Sequence, residues 1–377
     1  MLWLALLTTP MMAAIQGMCA RIGFVTGTGL AANIRNSVRP WIAYTIASAV
    51  IAANTFNVGA DFSGMAASAH MLAPAIPALA WALIFGVLLF AAILYLSYRV
   101  LASTIKYLTM SLFAYVITAF IIHPPWATVL KHLVIPQIQL NRSWLTTMMG
   151  VLGTTITPYL FFWQSDLEVE EQRCLGKTTV ASRRGASEDE IRNAHFDVNA
   201  GMIFSNLVMF FIIATTALTL FSHGKMNIQT AQDAAAALRP LAGRFAELLF
   251  TLGMVGTGLL AIPALAGSSA YVASETFVFR EAGLDEKPNR APRFYAVFGA
   301  GLFIGVGMAF LGISPIRALY WSAVLNGIVA VPLIYFLIRI ANDRKRLGKW
   351  RSSVLANAWA WLTFVLMGAA AVSMFAL

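Results

Sequence analysis

The sequence is poor in charge and in cysteine, and each shortage removes a class of protein. Only 11% of its 377 residues are charged, less than half of the about 25% with which a water-soluble domain covers itself. A soluble globule is excluded. Two cysteines, Cys19 in an apolar run and Cys174 in a polar one, provide neither a metal-ligand spacing nor a disulfide framework. No cluster of His or Cys falls inside the apolar runs, which argues against an enzyme buried in a membrane. The first apolar run lacks a basic leader and passes through Pro10 and Gln16 to Arg21 without a cleavage site. It is therefore not a secretory signal. No strand precedes Gly253, Gly256 and Gly258, so those glycines indicate close helix packing rather than a nucleotide loop.

What remains is apolar. The chain is 59% hydrophobic with a mean hydropathy of +0.74. Its apolar residues fall in ten blocks, at about 2–24, 40–60, 76–101, 107–123, 144–164, 199–222, 246–275, 294–313, 316–340 and 354–376. Blocks of about 20 residues suffice for a helix to cross about 30 Å of hydrocarbon. The fold class is thus all-α and polytopic, with residues 1–377 forming a single transmembrane domain in a lipid bilayer.

The net charge of +10 points to loop asymmetry rather than to nucleic acid. Twenty of the 26 Lys and Arg lie in the loops after blocks one, three, five, seven and nine. The positive-inside rule makes those odd-numbered loops cytoplasmic, with Met1 and the C-terminus external and a bacterial inner membrane as the setting. Two stretches look water-exposed: a charged cytoplasmic loop, 165–198, and an external loop, 223–244, whose run DAAAALRPLAGR reads as a short helix.

A path for solute through lipid is marked by interrupted helices and by polar groups that no lipid-facing position tolerates. The fifth block, MMGVLGTTITPYLFFWQ, contains both. Gly153 relaxes the backbone and Pro158 removes an N–H; between them stand the hydroxyls of Thr154, Thr155 and Thr157. A gap there would present oxygens to an ion at mid-membrane; a satisfied proline kink is the alternative. Asp61, within GADFSGMAASA, is a functional candidate if it lies deep. Asn206 and Asn326 could line a polar cavity or join helices. Glu168, Glu170 and Glu171 read as a solvated helix end.

These motifs resemble those of the Nramp divalent-metal transporters. QGMCARIGFVTGTGLAANIR is similar to that family's second helix, GADFSGMAASA to its third, GTTITPYLFF to its unwound sixth, and GTGLLAIPALAGSSAYV to its eighth. The resemblance implies a LeuT-type fold of inverted repeats that moves a divalent metal ion by alternating access, with the ion as substrate and no cofactor. It places Thr154 at a metal-binding carbonyl and Thr157 where the family has a methionine. Oxygen in place of thioether favours harder ions such as Mg over Mn or Fe. Tyr159 and Gln164 stand for two histidines tied to proton coupling, Asp61 for a glutamate and Asn206 for an asparagine near the metal. Gly153, Pro158 and Asn326 complete the implied pathway. The family's first helix, with its Asp-Pro-Gly-Asn ligands, has no counterpart, so a late recorded start or a truncated product is expected. A carrier of organic solutes and a non-transporting remnant are the rival readings. The oligomeric state stays open.

Overall fold

The computed structural model describes residues 1–95, 107, 110–139, 141–224, 227–279 and 283–376. Among these there is no strand, and nine helices are long and apolar enough to cross a membrane. A further pair, residues 110–121 and 126–134, is apolar enough when taken together but bends by 120° at the break between its halves. Hydrocarbon offers the backbone no partner, so each apolar run closes its own hydrogen bonds as helix.

In chain order the helices are α1 (Trp3–Thr26), α2 (Leu30–Arg35), α3 (Pro40–Leu72), α4 (Ala78–Tyr95), α5 (Phe113–Ile121), α6 (Trp126–Val134), α7 (Arg142–Thr155) and α8 (Pro158–Cys174). After them come α9 (Val180–Arg183), α10 (Glu188–Thr219), α11 (Ala231–Ala235), α12 (Arg239–Ala242), α13 (Ala246–Thr276), α14 (Pro292–Met308), α15 (Pro315–Ala341), α16 (Arg344–Leu347) and α17 (Val354–Ala376). Each apolar block is mainly helical over its described residues, and the fifth is interrupted at Ile156 and Thr157.

The polar stretch 165–198 is not a loop. α8 continues to Cys174, and α10 starts at Glu188 behind a capping box in which Ser187 and Glu190 satisfy each other's backbone N–H. Glu168 and Glu170 are buried, not solvated. Glu168 accepts from Gln164 Nε2 at 2.6 Å, and Glu170 accepts from Tyr271 Oη and from the Leu284 N–H. Polar residues here are spent inside the protein. In 223–244 the short helices α11 and α12 stand where a short helix was expected.

Two apolar clusters organise the bundle. One joins α1, α7, α15 and α17; the other joins α3, α4, α13 and α14. The long α3 packs against α13, α14 and α15 and so ties the two together.

The basic loops gather at one end. Arg346 donates to Asn33 O at 2.9 Å and Ser37 Oγ at 2.6 Å, and Arg183 donates to Gly27 O at 3.0 Å. Arg35 donates to Glu275 O at 2.5 Å, and Lys349 meets Glu188 at 3.1 Å. Loops one, five, seven and nine are thus cross-linked to one another. Arg99, Lys106, Lys225 and Arg280 lie outside the described residues.

Candidate functional site

The expected interruption falls between α7 and α8. Ile156 (φ −109°, ψ 71°) and Thr157 (φ −98°, ψ 137°) leave the helical region, as a residue before proline tends to do. The gap is local, since the two halves still count as one span, 142–174. Thr154 O would bond the N–H four residues on, but that residue is Pro158, which has none.

The threonines divide their roles. Thr154 Oγ1 bonds back to Gly150 O at 2.6 Å and Thr155 Oγ1 to Val151 O at 2.9 Å. Both hydroxyls serve their own helix. Thr154 is moreover exposed, so its side chain does not join Thr157 in a hydroxyl site; only its carbonyl is available. Thr157 is 2% exposed and its Oγ1 has no hydrogen-bond partner among the described residues. A buried hydroxyl in that condition costs about 1–3 kcal/mol.

Gly153 acts through packing rather than through backbone freedom. It is helical, and a Cβ there would run into Ala323 O and approach the Gly327 N of α15 to 2.5 Å. The adjoining Asn326 exchanges hydrogen bonds with Asn57 of α3, at 2.8 and 3.1 Å, and is 4% exposed. A buried amide pair thus stands beside the interruption. Asp61 lies one turn beyond Asn57, half-buried, with no hydrogen bond or ion pair among the described residues. It lies within a helix of 33 residues.

The remaining candidates are spread around this centre. The Tyr159 carbonyl accepts from Ser268 Oγ at 3.1 Å, and Gln164 holds Glu168. Asn206 is set apart. It accepts from Thr8 Oγ1 at 3.1 Å, donates to Met12 Sδ at 3.2 Å, and borders an apolar groove of about 800 Å³. In this arrangement it joins α10 to α1.

Asn54, Asn57 and Gln16 were not singled out as site candidates in the sequence. Asn54, Asn57 and Asp61 recur at i, i+3 and i+7, one face of α3, and that spacing was there to be found. Asn54 donates to Ser269 Oγ at 3.1 Å and leaves its own Oδ1 unpartnered. Gln16 Oε1 is also buried without a partner among the described residues. α1 and α8 run in the same direction, because Gly23 abuts Ser165 and Gln172 reaches Phe24 O at 3.0 Å. No signal of spacing marks Gln16. Among the described residues, no group of three or more His, Cys, Asp or Glu could hold a metal; the oxygens at the gap itself, those of Thr154 and Thr157, are neutral.

The whole chain, residues 1–377, matches the family described as natural resistance-associated macrophage protein-like, Nramp. This chain belongs to the Nramp family. An Erwinia tasmaniensis relative named divalent metal cation transporter MntH is 28% identical over 267 residues, covering 69% of this chain and 60% of the relative. The MntH of Ralstonia nicotianae is 26% identical over 382 residues, covering 98% and 82%. The chain thus spans less than two thirds of the first relative and more of the second. A solved manganese transporter of Eremococcus coleocola, in a single-residue mutant form, aligns with a TM-score of 0.69 at 14% identity, over 98% of this chain and 78% of that one. Its likeness establishes the Nramp architecture, a LeuT-type fold, for this integral membrane protein.

Proposed function

We propose that this Nramp chain moves divalent metal cations across the membrane by alternating access, with the basic loops on the cytoplasmic side. The observation that supports this best is the buried, unpartnered Thr157 hydroxyl beside the Thr154 carbonyl that Pro158 leaves unbonded. A cation entering the gap gains oxygens that already lack partners, which offsets part of its dehydration. Relatives named as divalent metal or manganese transporters support the substrate class.

The oxygens at the gap are neutral and hard. Mg²⁺ releases its water reluctantly and is held through a few oxygens plus retained waters, whereas thioether sulfur draws softer metals. A preference shifted toward Mg²⁺ follows. Asn57, Asn326 and Gln16 would meet the retained waters, Pro158 and Gly153 would fix the gap, and Asp61 is the candidate for coupling to a second ion. Tyr159 and Gln164 would line the exit.

The test is uptake into vesicles containing the protein. Thr157→Met, which replaces oxygen by sulfur, should raise Mn²⁺ or Cd²⁺ uptake relative to Mg²⁺ by about tenfold, the value of about 1.4 kcal/mol. Unchanged selectivity would remove Thr157 from the ion site, and the absence of any divalent uptake would end the reading.

A further inference from the structure

A small pocket of about 220 Å³ opens at the basic end, between the loop after α2 and the last turns of α15. One side is apolar, formed by Val38, Phe336 and Ile340; the other presents Arg339, Asp343 and Arg346. The two arginines are placed differently. Arg346 is consumed by the protein: its Nε lies 3.3 Å from Asp343 Oδ2, and it donates to Asn33 O, Ser37 Oγ and Asn36 O. Asp343 also accepts the Lys345 N–H at 2.8 Å. Its carboxylate is thereby answered, and among the described residues no other acid lines the pocket. Arg339 is exposed and touches only the ring of Tyr335, 6.0 Å from its centroid, with no hydrogen bond or ion pair among the described residues. Its positive charge has no counter-ion there.

Aromatic rings give the depth of this pocket in the membrane. Tyr335, one turn before Arg339, packs on Trp361 and Phe364 of α17, and Trp41 and Tyr44 stand exposed at the start of α3. Tyr and Trp collect where hydrocarbon meets headgroups. The Arg339 guanidinium therefore stands at headgroup level, with Phe336 on the hydrocarbon side. α3 begins two residues past Val38 without a side-chain cap, and so adds the partial positive charge of a helix N-terminus. A ligand suited to this place carries negative charge on an apolar body. An anionic phospholipid has both. A zwitterionic lipid brings an ammonium for which the pocket holds no open carboxylate, and a free phosphate leaves the apolar side unused.

We propose that this pocket seats the headgroup phosphate of an anionic phospholipid, with Arg339 on the phosphate and the first methylenes against Phe336 and Ile340. Basic pockets beside membrane spans recognise headgroups through this combination of charge and depth. Arg344 and Lys345 are also exposed and unpaired among the described residues, but they do not line the pocket. They add attraction without a seat. Such a lipid site is independent of what the chain carries.

Native mass spectrometry of the full chain in detergent, titrated with phosphatidylglycerol or with phosphatidylcholine of the same acyl chains, counts the lipids that stay bound. The parent should hold one phosphatidylglycerol about tenfold more tightly than phosphatidylcholine, the scale of a hydrogen bond to a charged group. Arg339→Gln should lose about that tenfold. Arg344→Gln removes the same charge outside the pocket and should lose only about twofold, because exposed charges are screened by salt. Equal losses in the two variants would mean diffuse attraction by the basic loops and overturn the site. Equal retention of the two lipids by the unaltered chain would overturn it as well, whether or not a variant folds. Displacement of the bound lipid by excess inorganic phosphate would leave a plain anion pocket and end the lipid assignment.

Discussion

Two prolines inside apolar spans meet different fates. Pro263 lies within α13, which runs unbroken from Ala246 to Thr276, whereas the backbone leaves the helix just before Pro158. Pro10 and Pro332 also sit in continuous helices. Nor do threonine back-bonds account for the difference, because Thr8 and Thr9 bond back to Leu4 O and Ala5 O just before Pro10 and α1 continues. The difference lies in the partners. α13 keeps one neighbour, α3, on both sides of its proline: Thr251 bonds Ser68 O, Gly258 abuts Met65, and Asn54 bonds Ser269, all contacts with α3. By contrast α7 docks on α15 and α17, and α8 on α1 and α13. A span whose halves belong to different neighbours opens where proline makes opening cheapest.

The largest effect should come from undoing one of those dockings. Gly153→Leu drives a side chain into the backbone of α15 at Ala323 and Gly327. Overpacking of rigid backbone costs about 3 kcal/mol or more, so the variant should fail to fold or melt far earlier in detergent. Gly307→Ala, where nothing lies within 4 Å, is the control and should melt like the parent. A Gly153→Leu protein of normal stability would mean that α7 does not depend on this contact.

A middling effect is expected at the amide pair that holds α3 to α15 beside the gap. Asn57→Leu or Asn326→Leu strands one buried amide, at about 1–3 kcal/mol each. The double variant removes both partners and should cost less than the two singles together. Strict additivity in thermal unfolding would show that the pair is not a coupled unit.

Much of this architecture could be read from the sequence, and the reasons differ by element. The spans were legible because lipid demands unbroken apolar runs, and the common side of the basic loops because Lys and Arg mark it. The gap was legible because Pro158 deprives the Thr154 carbonyl of its donor wherever the chain folds. The cause assigned to Gly153 was not, since its neighbour Gly327 lies far away in sequence. The acids of 165–198 misled for the same reason. A carboxylate reads as solvated unless its partner is known, and Glu170 finds Tyr271 and Leu284 more than a hundred residues onward. Asn57 was hidden because its partner, Asn326, lies far along the chain and was visible but unpaired.

The smallest effect separates the two explanations of the gap most sharply. Pro158→Ala supplies an N–H for the Thr154 carbonyl and removes the ring that disfavours helix at Thr157. If proline alone opened the span, the ladder would close, amide exchange over 156–160 would slow, and cation uptake would vanish with the gap. If separate docking opens it, α7 stays on α15, α8 stays on α1, and the new donor finds water at the gap. Stability should then move by less than about 1 kcal/mol, within the net worth of one hydrogen bond. Exchange should stay fast and uptake should persist. Pro263→Ala, in a helix that keeps α3 as a neighbour on both sides of its proline, should change neither exchange nor uptake. Slow exchange in Pro158→Ala would return the cause of the gap to the proline and leave the two docking surfaces as its consequence.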